Sequence, residues 1–251
     1  MLDSIRIFVT SDTIKEEKLV LKKKSDFGMV IQELGDKAIA VTWPNMDGKY
    51  SALGQWKAMG EAENLEEFKS ALEQNALPLF NIIYSDKQSN ILYHFGGNIP
   101  KKNGSWDKWQ SIVPTSASTE LWDGYYSHNK LPGYINPETG WIQNANDPPF
   151  TSTIPSTLNP SDYPDHISPN NMIFRPQRSA KLIMDASDLT LDEFIELKHD
   201  TKSELALRLQ DDLECLKQFT QDSLITAALN ILTQWDASFD SSSKGAVLEV
   251  I

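Results

Sequence analysis

The chain has 251 residues, of which 40% are hydrophobic and 23% charged, an ordinary balance for a globular protein with a sizeable core. Its formal net charge of −12 argues against a nucleic-acid partner, because binding to phosphates requires a basic surface. No apolar run approaches the roughly 18 residues of a membrane helix, and the first residues lack the pattern of a signal peptide. We therefore expect no nucleic-acid and no membrane partner.

The first hundred residues are expected to form mostly strands followed by two helices. Asn64 has the position of an N-cap for the second helix, with Glu67 three residues further on as in a capping box. The strands are predicted at residues 5–9, 18–22, 28–34 and 38–43, and the helices at 51–61 and 65–74.

A β-hairpin is predicted next. Its two apolar runs, residues 77–84 and 90–95, are separated by the polar connector 86–89. Strands, then helices, then strands with short connections indicate an α+β fold with antiparallel pairing.

The middle of the chain, residues 98–177, is rich in proline and tryptophan. The prolines exclude long helices, and the tryptophans are unusual for a disordered segment, so we expect an ordered loop region. Helices are predicted again between 178 and 236, and Thr190 with Glu193 forms the pattern of a capping box.

One predicted helix, residues 202–218, carries a leucine stripe at helical spacing, which we interpret as a core-facing surface. Cys215, the only cysteine, lies in this helix and is expected to be a small buried residue. The stripe consists of Leu205, Leu209, Leu213 and Leu216.

Asn81 is the polar residue that the strand pattern singles out. Alternation places it on the same side of its strand as Leu79 and Ile83, so we expect its amide on an apolar, buried face. A buried amide costs about 1–3 kcal/mol unless it is hydrogen-bonded. Two interpretations remain open: a structural asparagine bonded to neighbouring backbone, or a functional amide. The four histidines are dispersed and lack the spacing of metal ligands.

Several short motifs resemble the β subunit of the penicillin amidase family, closest to its branch of aculeacin-type and acyl-homoserine-lactone acylases. Their order and spacing extend over roughly residues 26 to 248. The motifs are residues 77–86, 90–93 and 97–100 in the hairpin region, 122–125, 131–132, 136–142 and 143–149 in the loop region, and 174–179 and 211–213 further on.

The resemblance implies an N-terminal nucleophile hydrolase. In that family a precursor cleaves itself, the new N-terminal Ser, Thr or Cys attacks an amide, and its own α-amine acts as base. The implied fold is a four-layer α-β-β-α sandwich, of which this chain would form a part. By motif alignment, Asn81 is the side-chain half of the oxyanion hole. The family often binds calcium between its chains, but no ligand for it is matched here.

On this resemblance, we expect residues 1–251 to be a single piece of an acylase β subunit. We divide it into strands and two helices, an ordered loop region, helices, and an end at which the family sequence continues. These parts are residues 1–97, 98–177, 178–236 and 237–251.

The resemblance also implies partners and a compartment. The partners are the α chain, the remaining β segments and a small N-acyl substrate. The parental family is periplasmic or extracellular.

Three departures from the family pattern limit what the chain does alone. The nucleophile segment is not matched, so we expect no turnover by the isolated chain. Ser89 replaces the usual glycine of the hairpin turn, and Lys102 stands where many members carry an arginine near the site. Besides an acylase part, two other interpretations remain: a relic that binds acyl ligands or a partner without turnover, and an unrelated module that shares only architecture.

Overall fold

The computed structural model describes residues 2–11, 14–46, 48–115 and 121–250, with the backbone alone for 2–11, 14–24 and 250. The chain separates into two compact units. The first unit comprises Met1–Asn136 and Leu158–Pro169, and the second comprises Pro137–Thr157 and Asn170–Ile251. No described helix has the length and apolar character needed to cross a membrane.

The first unit begins with a four-stranded antiparallel sheet in the order β1-β2-β3-β4. A two-residue turn joins β3 to β4, and Gly35 takes φ +66° there, a conformation that glycine adopts without strain. All four strands predicted from the sequence are confirmed, and the first two are longer than expected. The strands are β1 (Leu2–Ser11), β2 (Ile14–Ser25), β3 (Gly28–Leu34) and β4 (Lys37–Val41).

Two helices follow, α1 (Ala52–Glu61) and α2 (Leu65–Leu72). The predicted cap of α2 is confirmed: Asn64 Oδ1 accepts from the backbone N–H of Glu67 at 3.0 Å. In α1, the buried Gln55 accepts from the backbone N–H groups of Ala76 and Leu77 through Oε1, at 2.6 and 2.9 Å. This amide fixes the chain at the entry to the next strand.

A second, three-stranded antiparallel sheet has the order β5-β6-β7, with strands β5 (Phe80–Ser85), β6 (Ile91–Gly96) and β7 (Gly133–Ile135). The predicted hairpin of β5 and β6 is confirmed. The short strand β7 had no signal in the sequence, because three residues between Pro132 and Asn136 carry no readable alternation. As the central strand, β6 is covered on both faces: residues 92–100 are all buried.

The core of the first unit lies between the two helices and one face of the hairpin. Ile82 of β5 and Leu92 of β6 point into it, together with Leu77 just before β5. From the helical side, Phe68 and Leu72 of α2 complete the cluster. Large aliphatic and aromatic side chains therefore hold β5 from one face only.

The second unit combines irregular chain with five α-helices among the described residues. The capping box of α4 is confirmed, with Thr190 and Glu193 bonded reciprocally. Arg178 of α3 forms a two-point salt bridge with Asp200, at 2.9 Å from Nε to Oδ1 and 2.7 Å from a terminal nitrogen to Oδ2. The helices are α3 (Phe174–Met184), α4 (Leu191–Lys198), α5 (Glu204–Leu216), α6 (Ser223–Gln234) and α7 (Lys244–Val250).

The expected core-facing stripe on α5 is wrong for part of its length. Leu209 and Leu216 are 37% and 51% exposed, and Cys215, expected to be buried, is exposed as well. The buried cluster of this unit is formed instead by Trp235 with three alanines: Ala206, Ala237 and Ala246. Leu207 of α5 and Leu232 of α6 pack against this cluster, whereas Leu209 and Leu216 lie at the surface. Helical spacing identifies an apolar face but not what covers it.

Candidate active site on the β5–β6 hairpin

Asn81 is the second residue of β5, on the face of the hairpin opposite the core. In the antiparallel ladder, Asn81 pairs with Phe95 of β6, and Ile83 pairs with Tyr93. Paired residues project from the same face of a sheet, so these four side chains share a surface. On the β6 side this surface is closed, because Tyr93 and Phe95 are 0% and 4% exposed.

The expected burial of Asn81 is wrong. Leu79, just before β5, and Ile83, on the Asn81 face of β5, are 48% and 46% exposed, and Asn81 itself is only partly buried. The predicted alternation of side chains along β5 is correct. The helices, however, cover the face that carries Ile82 and not the face that carries Asn81. Asn81 therefore lies where a closed part of the sheet surface meets an open apolar part.

The amide of Asn81 is held in one orientation by a tyrosine. The hydroxyl of Tyr93 donates to Asn81 Oδ1 at 2.6 Å, and the Tyr93 side chain is fully buried. Its ring packs against Tyr134 of β7, with centroids 5.4 Å apart. Among the described residues, Nδ2 of Asn81 has no acceptor. A primary amide held by its oxygen presents its two N–H donors, which is the requirement for binding a developing oxyanion.

Two histidine rings contact each other behind this face, on the core side of the same sheet. The ring of His94 in β6 lies 4.3 Å from that of His128, measured between centroids. Burial, together with the neighbouring His128, lowers the pKa of His94 to about 3. Burial also lowers the pKa of His128, although Glu73 opposes this. His128 Nδ1 is buried without a hydrogen-bond partner. Because burial lowers both pKa values, both imidazole rings are uncharged at pH 7.

Lys102, at the position where the resemblance places an arginine, follows the buried end of β6. Its Nζ lies 4.7 Å above the ring of Trp109, and burial lowers its pKa. Its backbone nitrogen lies 3.4 Å from Nε2 of His166, which itself lies 3.2 Å from the carbonyl oxygen of Pro100. None of these described contacts joins Lys102 to Asn81.

Calcium, which the resemblance makes possible, does not fit a site within the described residues. There, no three His, Cys, Asp or Glu side chains form a group that would hold a metal ion. The carboxylates of Asp86 and Asp147 already accept from neighbouring donors. Asp86 accepts from Tyr84, Gln88 and Asn90, and Asp147 accepts from Gln143, Ala145 and Thr151.

A mixed α/β fold with a donor amide on an open strand face is compatible with an amide hydrolase. The penicillin amidase family model matches residues 6–249, so the chain belongs to that family of amide-bond hydrolases.

Among solved structures, the chain is similar to the thermostable penicillin G acylase of Alcaligenes faecalis, with a TM-score of 0.66 at 20% sequence identity. The match covers 96% of this chain and 42% of the acylase chain. At this identity the likeness shows the fold. This chain spans less than half the length of the acylase it matches.

The sequence indicated Asn81 but not the residues around it. Tyr93 had a readable signal: it is two residues from the ladder partner of Asn81, a diagonal position within reach of a long aromatic side chain. The contact between the rings of His94 and His128 had no readable signal in the sequence, because the two residues are 34 positions apart.

Proposed function

We propose that this chain supplies the oxyanion-binding amide of an N-acyl amide hydrolase, with Asn81 Nδ2 as the donor. The observation that carries this proposal is the hydrogen bond from the Tyr93 hydroxyl to Asn81 Oδ1, 2.6 Å long, which leaves the donor end of the amide free. Membership of the penicillin amidase family supports the reaction class.

The amide suits the chemistry of acyl transfer. When a nucleophile adds to an amide carbonyl, the oxygen becomes an anion, and a fixed N–H donor stabilises it more than the neutral carbonyl. Asn81 is neutral at every pH of interest, so it needs no proton and leaves the base free to act on the nucleophile. In the family mechanism that the resemblance implies, an N-terminal residue attacks and its α-amine transfers the proton to the leaving amine.

The open part of the hairpin face supports a partner layer. Leu79 and Ile83 on either side of Asn81 are about half exposed, as expected for a strand that packs against a second sheet in an α-β-β-α sandwich. In this proposal the α chain and remaining β segments cover that face and bring the nucleophile to Asn81. The isolated chain is then inactive.

The finer identity of the reaction follows the resemblance. We propose a small N-acyl substrate of the kind that penicillin amidases or acyl-homoserine-lactone acylases cleave, in a periplasmic or extracellular setting. Calcium has no part in the proposed steps.

The test uses an assembled acylase in which this chain replaces the matching segment of a relative that carries its own nucleophile. Asn81→Ala is expected to lower kcat by about 10²–10³, or about 3–4 kcal/mol, with KM and folding nearly unchanged. Substrates are penicillin G and long-chain acyl-homoserine lactones. This chain without the added segments is expected to hydrolyse neither.

The control is Asn170→Ala, an exposed asparagine outside the hairpin. Asn75 at the end of α2 is unsuitable, because it has φ +48° and donates from Nδ2 to the carbonyl oxygen of Tyr126 at 2.9 Å. Equal kcat values for the folded Asn81 and Asn170 variants would contradict the oxyanion role. An assembled protein that binds acyl ligands without turnover, with Asn81 intact, would favour the relic.

A further inference from the structure

Three side chains cross the second sheet in a row, one from each strand. Tyr134 of β7 packs on Tyr93 of β6, and Tyr93 donates to Asn81 of β5. We propose that Tyr93 is a positioning residue for Asn81: it fixes the amide so that Nδ2, and not Oδ1, faces the reacting oxygen. This inference rests on the proposed function of Asn81, but the orientation itself can be measured without any activity.

The contact follows from strand register. Tyr93 is opposite Ile83, so it is diagonal to Asn81 on the same face. Diagonal neighbours have Cα atoms about 7–8 Å apart, a gap that a tyrosine bridges and a smaller polar side chain does not. The measured distance from the Tyr93 hydroxyl to Asn81 Oδ1 is 2.6 Å. A residue moved by one position along β6 would point to the opposite face.

The ring of Tyr93 has little freedom to move. It is completely buried, and the ring of Tyr134, its direct ladder partner, packs against it at an interplanar angle of 32°. A rigid aromatic ring places its hydroxyl with only two side-chain torsions. Asn81 is only partly buried, so its amide needs such an anchor to hold one orientation.

The orientation of the Asn81 amide decides whether it stabilises or destabilises the oxyanion. Oδ1 and Nδ2 are similar in size, and a half-turn of the amide exchanges them. With Nδ2 towards the oxyanion the amide donates, whereas with Oδ1 in that place two partial negative charges face each other. The Tyr93 hydroxyl, by donating to Oδ1, holds the amide in the donating orientation. Removing the hydroxyl alone makes both orientations accessible.

The first measurement uses this chain, labelled with ¹⁵N, and the order parameter of the Asn81 side-chain amide. In Tyr93→Phe we expect this value to fall from a rigid level, about 0.85, to below about 0.6. The matched control is Tyr84→Phe in the same hairpin, which removes a hydroxyl that donates to Asp86 at 2.9 Å on the opposite face. An Asn81 amide that stays rigid in Tyr93→Phe would overturn the proposal.

The second measurement is a double-mutant cycle in the assembled acylase. Tyr93→Phe is expected to lower kcat about 10- to 100-fold at constant KM, less than Asn81→Ala. If Tyr93 acts through Asn81, then Tyr93→Phe with Asn81→Ala is no slower than Asn81→Ala alone. Tyr84→Phe should leave kcat within about twofold of the parent.

The outcomes separate the two proposals. If the double mutant lowers kcat by the product of the two single-mutant factors, Tyr93 does not act through Asn81. That result would overturn the positioning role of Tyr93 and leave the role of Asn81 intact. An Asn81→Ala variant with full kcat would remove the proposed function, whereas the order parameter still decides whether Tyr93 fixes the amide.

Discussion

The β5–β6 hairpin and the C-terminal helices place their large apolar side chains differently. In the hairpin region, the core cluster consists of Phe68, Leu72, Leu77, Ile82 and Leu92, all at most 9% exposed. In the C-terminal helices a buried cluster consists of Trp235 and alanines, and several large apolar residues are exposed. Those more than half exposed include Leu191 and Phe194 of α4, Leu224 and Ile225 of α6, and Phe219 between α5 and α6.

The contrast shows that these helices are apolar on a face that no described residue covers. Scattered apolar residues on a surface are normal, but several on neighbouring turns of α4 and α6 are not. Burial of apolar side chains against other parts of the chain stabilises the hairpin region. The exposed apolar side chains on the outer faces of the helices contribute little to the free energy of folding. Four predictions test the stability and the exposed surfaces of these two regions.

Acid is expected to have the largest effect, and to act on the hairpin. The pKa of His94 is about 3 in the fold, against about 6.5 in the unfolded chain. The neutral ring is therefore favoured by folding: its stabilisation is complete above pH 6.5 and is lost as the pH falls towards 3. The loss reaches at most about 5 kcal/mol. Urea unfolding between pH 7 and 4 measures it.

The comparison variant His94→Phe should have a flatter dependence of the unfolding free energy on pH than the parent chain. Carboxylates with lowered pKa values, such as Asp200 beside Arg178, contribute to the slope of every variant. Parallel curves for the parent and His94→Phe would contradict the assignment.

Truncating a leucine should distinguish the two regions directly. Leu77, 1% exposed, lies in the hairpin core, and Leu224, 80% exposed, lies on α6. Leu77→Ala should reduce the free energy of unfolding by about 3 kcal/mol, through lost burial and the cavity left behind. Leu224→Ala should change it by less than about 0.5 kcal/mol. Similar losses in urea unfolding would mean that α6 is covered in solution.

The turn of the hairpin offers a stabilising substitution. Ser89 takes φ +65°, a left-handed conformation that costs a residue with a Cβ atom about 1 kcal/mol. Ser89→Gly should therefore raise the unfolding free energy by about 1 kcal/mol. Ser85→Gly, at the end of β5, should lower it by about 0.5–1 kcal/mol. A change of the same sign in both variants would show that backbone strain at Ser89 is not the cause.

The exposed helical face should affect association more than stability. The chain is expected to associate and to bind a hydrophobic dye. Phe219→Ser combined with Leu224→Ser should reduce both, with a change below about 0.5 kcal/mol in unfolding free energy. Light scattering and dye fluorescence measure this. A parent chain that is monomeric and does not bind dye would contradict the expectation.

The elements of the fold were largely predictable because each depends on local chemistry. Asn64 and Thr190 cap helices where expected, and the polar connector at 86–89 forms the hairpin turn. The short strand β7 was not predictable, since it exists only through its pairing with β6. Asn81 was identified, partly through the resemblance, but the burial argument for it failed because it assumed a covered face.

The sequence alone determined the strand alternation, the helix caps and the family motifs, since these depend on residues within a few positions of one another. Tertiary structure decided which face of each amphipathic element is covered, because coverage depends on residues far away in the chain. It placed the helices on the Ile82 face of β5 and left the Asn81 face half open. It also brought Tyr134, Tyr93 and Asn81 into one row, because strand register brings distant positions into contact.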